Sequence, residues 1–324
     1  MQSSRRLSRL FSVWLILFSV CCSVDAWAQA TASRLVLGTA TKGGGFQLYG
    51  QQLLEVVNAM DAGLKVEALE TKGSKENLPF LEEGKIDIGL VEGNAAQQAL
   101  EGVGRSPTNL KVLAVMYPNP GMFVVRGDSP YQSIDDLKGQ AIAFGTQASG
   151  LRILARDVLD GLGLKPDVDF KQVILDKAGD GPRMVLEKEV VALWGAGIGW
   201  PGFEKVAEGP AGARFIAPSS GQIKQIRAKH PHLKPMSIPA GTYRGQVEQI
   251  ESVGLWSVIL VRPDLAEDRV HRLARAIHQG EAELAKRLKQ GEYTRATNTI
   301  AQVPVSQLHP GAARYYREIG LVGK

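Results

Sequence analysis

Residues 38–50 read Gly-Thr-Ala-Thr-Lys-Gly-Gly-Gly-Phe-Gln-Leu-Tyr-Gly and lie between an apolar run and a helical pattern. A strand-to-helix turn needs one or two glycines. Four glycines before Phe46 keep the backbone bare, so that something can approach it. The first amides of a helix are unpaired and partially positive, which suits an anion. Thr39, Thr41 and Lys42 add two hydroxyls and a charge. Two further loops have the same character, Glu92-Gly93-Asn94 and Gly145-Thr-Gln-Ala-Ser-Gly150. The candidate ligand contacts are therefore Thr39, Thr41, Lys42, Gly43, Gly44, Gly45 and Phe46 from the first loop. Glu92 and Asn94 come from the second, and Gln147, Ser149 and Gly150 from the third. Trp194, at the end of an apolar run in an aromatic-poor chain, is added as a ring to cover the apolar part of a ligand.

Other chemistries fail on spacing. A nucleotide-binding P-loop needs Gly-Lys-Ser/Thr at its end, but Gly43 is followed by Gly44 and Gly45. Neither this loop nor Gly195-Ala-Gly-Ile-Gly199 supplies G-x-G-x-x-G, the dinucleotide fingerprint. There is no G-x-S-x-G elbow, and Ser149 sits at a helix start, where capping is its ordinary role. His230 and His232 have the makings of a metal pair, but no third ligand follows at useful spacing, so no metal is expected. With no nucleophile–base pair in view, the chain reads as a binder with no enzymatic chemistry and no cofactor.

Short apolar runs alternate with longer amphipathic ones, the mark of an α/β fold with a largely parallel sheet. Strands are expected at 34–39, 65–69 and 86–91, with helices at 46–58, 75–83 (capped by Ser74) and 94–101 (capped by Asn94). A second block has strands at 141–144, 171–175 and 190–194 and helices at 151–159 and 183–188. One strand at 252–261 is followed by helices at 266–279, 281–288 and 312–319. The apolar stretches near Phe123 and Leu255 look like crossings between domains. That divides the chain into residues 31–122 with 255–324, and residues 123–254. Open α/β sheets bind at the carboxyl ends of their strands, so loops from both blocks would face one cleft.

The N-terminus carries Arg5, Arg6 and Arg9, then the apolar run Leu10–Val20, then Ala26-Trp-Ala28 and Ala28-Gln-Ala30. This is the pattern of a secretory signal peptide, residues 1–30, cleaved after Ala30 or Ala28 and placing the protein in the periplasm. Both cysteines, Cys21 and Cys22, fall inside it. The exported chain would thus have no disulfide and would rely on its core, which its length can supply. Setting aside three arginines and Asp25 lowers the net charge from +5 to +3, too mild for a nucleic-acid protein.

Several segments resemble the TAXI subfamily of receptors that serve TRAP transporters. They are Leu37-Gly-Thr39 with its glycine loop, Gly84-Lys-Ile-Asp-Ile-Gly-Leu90 and Ser133-Ile-Asp-Asp-Leu-Lys-Gly139. Ile238-Pro-Ala-Gly-Thr-Tyr-Arg-Gly-Gln246 and Leu308-His-Pro-Gly-Ala-Ala-Arg-Tyr-Tyr-Arg-Glu-Ile-Gly320 complete the set. The resemblance implies a two-lobed type II periplasmic-binding-protein fold that closes by a hinge over a glutamate-, 2-oxoglutarate- or dicarboxylate-like acid. The partner implied is the sodium-coupled permease of a TRAP transporter, with the receptor monomeric; the alternative is a sensor input or a partner of a different transporter. Ala40, Lys42, Gly45 and Phe46 depart from the family loop, as do Val91-Glu-Gly-Asn94 and Gly145–Leu151. The loop backbones carry over and the side-chain specificity does not. A ligand-facing Lys42 with Glu92 nearby would suit an acid with a hydrogen-bond donor beside its carboxylate. In that case Lys42→Ala would cost ten- to a hundredfold in affinity, whereas a solvent-facing Lys42 would cost nothing.

Overall fold

The computed structural model describes residues 34–323. The expected leader, with Cys21 and Cys22, lies outside the described residues. Twelve strands are formed: β1 (Leu35–Gly38), β2 (Val66–Leu69), β3 (Ile88–Val91), β4 (Lys111–Pro118), β5 (Gly121–Arg126), β6 (Ala141–Thr146), β7 (Lys171–Leu175), β8 (Ala192–Ala196), β9 (Ala213–Ile216), β10 (Lys234–Ile238), β11 (Ile250–Gly254) and β12 (Trp256–Val261). They build two five-stranded sheets, β2-β1-β3-β12-β4 and β7-β6-β8-β5-β9, and a two-stranded ribbon, β10-β11.

Both large sheets follow one plan. In each, β-α-β units lay down three parallel strands, and an antiparallel strand that arrives from the other sheet is inserted between the third and the fifth. The sheets are therefore mixed rather than largely parallel, and the inserted strands are β12 and β5. This is the type II periplasmic-binding-protein fold.

The alternation of side chains along β5 shows how one strand serves two cores. Phe123 and Val125 pack on one face with Phe144, Leu154 and Trp194; Met122 and Val124 pack on the other with Leu193, Val206 and Phe203. The first sheet is covered on both faces by one continuous core that includes Leu37, Leu53, Leu90, Ile259, Leu273 and Tyr316.

The chain passes from the first sheet to the second at Asn119–Pro120 and returns at Leu255. The expected single strand 252–261 is two strands that join different sheets, β11 ending at Gly254 and β12 starting at Trp256. The two passages are clipped together. Asn119 N donates to Leu255 O at 3.1 Å, and Asn119 Nδ2 donates to Ser257 Oγ at 2.6 Å. A Cβ on Gly254 would fall 1.8 Å from Asn119 O, so only glycine permits this crossing.

Candidate functional site

Between the two sheets lies a small, partly open cavity of about 60 Å³. The elements that wall it share one feature: they are helix starts. Gly44 and Gly45 open helix 45–60, Gly73 and Ser74 open helix 74–82, and Glu92 precedes helix 93–101. From the other side come Gly150 and Leu151 at the start of helix 151–161, and Trp200 at the start of helix 201–207. Each start carries the positive end of a helix dipole, and those at Gly45, Ser74 and Gly150 add amides without an acceptor among the described residues. Hydroxyls and one amide add polar groups to the wall, from Thr41, Ser74, Tyr117, Asn119, Thr146, Ser149 and Ser257, beside the apolar Ala40, Phe46, Ala178 and Ala196. The described lining holds no arginine, histidine or cysteine; its charged residues are Glu92 and Lys72, the latter exposed.

The walls touch one another across the cleft. Lys75 N donates to Ala148 O at 3.1 Å, Ala178 N donates to Thr41 Oγ1 at 3.1 Å, and Asn94 Nδ2 donates to Asp157 Oδ2 at 3.2 Å. These contacts explain the run of glycines. A Cβ on Gly43 would lie 2.9 Å from Gly179 Cα, and Gly43 has φ +76°, which other residues adopt only with strain. A Cβ on Gly45 would lie 2.8 Å from the Trp200 ring, and one on Gly150 would lie 2.5 Å from Glu92 Cβ. The bare backbone admits the opposite wall as much as it admits a ligand.

Glu92 is the electrostatic centre of the site. It is buried, and its Oε2 accepts from Asn94 N at 3.0 Å and Ala95 N at 3.2 Å. It therefore caps helix 93–101, the place the sequence pattern assigns to Asn94. Oε1 is also buried and has no hydrogen-bond partner among the described residues. Burial pushes the carboxyl up to about 8; the helix amides pull against this, and the nearby Asp157 carboxylate adds to it. Near neutral pH Glu92 carries a proton, and in that form it both accepts and donates.

Of the sequence-derived candidates, Thr41, Gly44, Gly45, Phe46, Glu92, Ser149 and Gly150 line the cavity. Thr39 is buried beside it and donates to Leu69 O at 3.0 Å, tying β1 to β2. Gly43 makes the cross-cleft backbone contact. Asn94 is buried against Asp157, and Gln147 is exposed and accepts from Arg152 Nη1 at 2.5 Å. Trp194 lies within β8, since that strand runs two residues beyond the expected end. Period-two alternation turns its ring into the core beside Phe123, with Nε1 donating to Leu151 O at 2.9 Å. The tryptophan at the cavity is Trp200, held edge-on to Phe203 at 4.8 Å. Ser74 does not cap its helix, whose N-cap is Gly73; its Oγ accepts from Glu92 N at 3.0 Å. Tyr117, Asn119 and Ser257 carry no sequence signal, because they stand at the crossings.

Lys42 is exposed and its side chain is outside the lining; only its amide is engaged, donating to Glu70 Oε1 at 3.3 Å. Lys42→Ala is therefore expected to change ligand affinity by less than about twofold. A tenfold loss in calorimetric titration would put its ammonium on the ligand instead.

A cavity between two sheets of identical plan, ringed by helix starts, is the arrangement of a two-lobed fold with a cleft. The model of the NMT1-like family matches residues 37–320, and the chain belongs to this family. Among solved structures it is similar to a protein of Bordetella bronchiseptica RB50, at 14% identity with a TM-score of 0.54, covering 88% of this chain and 98% of that one. A Xanthomonas citri protein bound to chloride ion matches at 17% identity and TM-score 0.50, covering 88% and 99%. The alkanesulfonate-binding protein SsuA from Xanthomonas axonopodis pv. citri, bound to MOPS, matches at 16% identity and TM-score 0.49, covering 90% and 94%.

Proposed function

We propose that the protein is a periplasmic solute-binding receptor that captures a small organic acid and performs no chemistry on it. The observation that carries this reading is the convergence of five helix starts on one cavity. The amides of Gly45, Ser74 and Gly150, which have no acceptor among the described residues, offer a carboxylate donors from both sides. The hydroxyls of Thr41, Ser149 and Ser257 add more, and protonated Glu92 supplies a further donor through Oε1. A neutral cradle of this kind holds an anion without a full counter-charge, which is how a receptor binds firmly and still releases.

Residues 31–122 with 255–324 and residues 123–254 act as two rigid lobes that turn about the paired crossings at Asn119 and Leu255. An open form admits the ligand, and contact of the two walls completes the site, since each lobe alone provides half of it. The segments shared with the TAXI subfamily favour a glutamate-, 2-oxoglutarate- or dicarboxylate-like ligand and a TRAP-type sodium-coupled permease as the acceptor. The receptor works as a monomer.

Calorimetric titration of residues 31–324 with L-glutamate, 2-oxoglutarate and short dicarboxylates tests the reading. At least one acid should bind with a Kd well below 1 mM and change the Trp200 emission in a saturable way as the walls meet. If no acid binds better than about 1 mM, some ~4 kcal/mol, the receptor reading fails.

A further inference from the structure

On the body built around the second sheet, three metal-type ligands come together from separate stretches of chain. Asp157 belongs to helix 151–161, while His230 and His232 lie in the turn after helix 220–229. One ligand atom from each lies within 4.8 Å of the other two. Asp157 is 4% exposed and both histidines are half-buried. The sequence hides this set, because the third ligand precedes the histidine pair by more than seventy residues.

We propose that Asp157, His230 and His232 form a site for a divalent transition-metal ion, zinc foremost. His232 Nε2 is buried and has no hydrogen-bond partner, yet it stands 3.5 Å from Asp157 Oδ2. That separation is too long for a good hydrogen bond. It matches two atoms that share one ion, since ligands about 2.0–2.1 Å from a tetrahedral zinc lie roughly 3.3 Å apart. Asp157 Oδ1 is engaged by Arg156 at 3.3 Å, while Oδ2 faces both Asn94 Nδ2 at 3.2 Å and His232 Nε2 at 3.5 Å; a carboxylate oxygen can accept from the one and bind an ion through its second lone pair. His230 Nε2 is 2.7 Å from Asp160 Oδ2, a carboxylate that fixes the ring, as outer carboxylates do at metal-bound histidines. Two imidazoles and one carboxylate form a donor set suited to zinc over magnesium or calcium, and the fourth position is left to water. Lys229 faces Asp160 and Arg156 faces Asp157, so these two cations are the groups that oppose an ion here.

The site would pin the loop at 230–233 to the helix whose first residues line the cleft. It does not depend on what the cleft binds. The test uses untagged protein dialysed against a chelator and then titrated with zinc sulfate at pH 7.5. The expected result is one zinc ion per chain with a Kd in the micromolar range or tighter and a rise in melting temperature. Magnesium should produce neither. His232→Ala should weaken zinc binding by at least tenfold and abolish the rise, while its metal-free melt and circular dichroism stay close to the parent's. Because Asp157 also accepts from Asn94 across the cleft, His230→Ala serves as the second variant with the same expected loss. Zinc affinity equal in parent and His232→Ala, or absence of 1:1 binding below about 100 µM, would overturn the assignment.

Discussion

Replacing Gly150 by alanine should abolish tight ligand binding while leaving the two lobes folded. Gly150 has φ −63° and ψ −29°, so alanine is free of backbone strain there, and exchanging glycine for alanine at a helix N-cap costs the fold on the order of 1 kcal/mol. In the contact between walls the situation is different. The added methyl would lie 2.5 Å from Glu92 Cβ and 2.8 Å from Ser74 Oγ, both on the opposite side of the cleft. Cβ atoms do not approach that closely, and Glu92 is fixed by two helix amides, so the walls must part. Overpacking of this kind costs ~1–3 kcal/mol, which is roughly five- to more than a hundredfold in affinity. Calorimetry on the best-binding acid reads the loss, and small-angle scattering with that acid present should show the variant more extended than the parent. Unchanged affinity together with an unchanged melting temperature would mean that the ligand is held without the wall contact.

The second large effect is expected from pH. When the walls part, solvent reaches Glu92 and its carboxyl returns toward the ordinary value of 4.5; when they meet, burial lifts it to about 8. The group is an acid whose value is raised in the closed state, so closing takes up a proton between those limits. Below about pH 4.5 both states are protonated and closing is unopposed. As pH rises from there toward 8, the open state loses its proton first. Closing then becomes less favourable by up to ~1.4 kcal/mol per pH unit, levelling off above 8. Affinity for an organic acid should accordingly fall several-fold per pH unit between about 5 and 8. Glu92→Gln, which keeps the shape and removes the titration, should flatten the profile and bind better than the parent at pH 8. A profile that rises with pH in the parent would instead mean an ionised Glu92 facing a cationic group of the ligand.

Both effects turn on residues that the sequence brings forward, yet for partly different reasons. The alternation of strands and helices is legible because each β-α-β unit buries one helix stripe on one strand, and the boundaries at β1, β3 and β7 are read to within about two residues. The crossing near Leu255 is visible as an apolar run. The break inside it is not, because Ser252 to Val261 is apolar enough to be one strand, and only the pairing with β10 and then β3 divides it. Strands β9 and β10 escape because they are mostly half-buried or exposed, so no clear period shows in Ala-Arg-Phe-Ile or Lys-Pro-Met-Ser-Ile. At the site, the loops are legible from glycine and the helix starts, but not the faces of their side chains. Trp194 and Trp200 are six residues apart; the end of β8 decides which ring meets the cavity. The partner of Gly43 is another glycine, Gly179, which no local pattern links to it. The partner of the two histidines is set by the packing of helix 151–161 on helix 220–229.

The insertion of β12 between β3 and β4 imposes an order on assembly. Its pairs, such as Val261 with Ile88 and with Lys111, join residues separated by about half of the chain. Until Val261 has left the ribosome, β3 and β4 have no common neighbour, and the first sheet stands as an incomplete fragment with open edges. The second sheet needs nothing beyond Ile216, so it is complete earlier. Contacts of such long range are slow to close and leave strand edges available to other chains in the meantime. The body that begins the sequence is thus the last to finish folding, and chains cut short before Trp256 should aggregate through β3 and β4 where full-length chains do not.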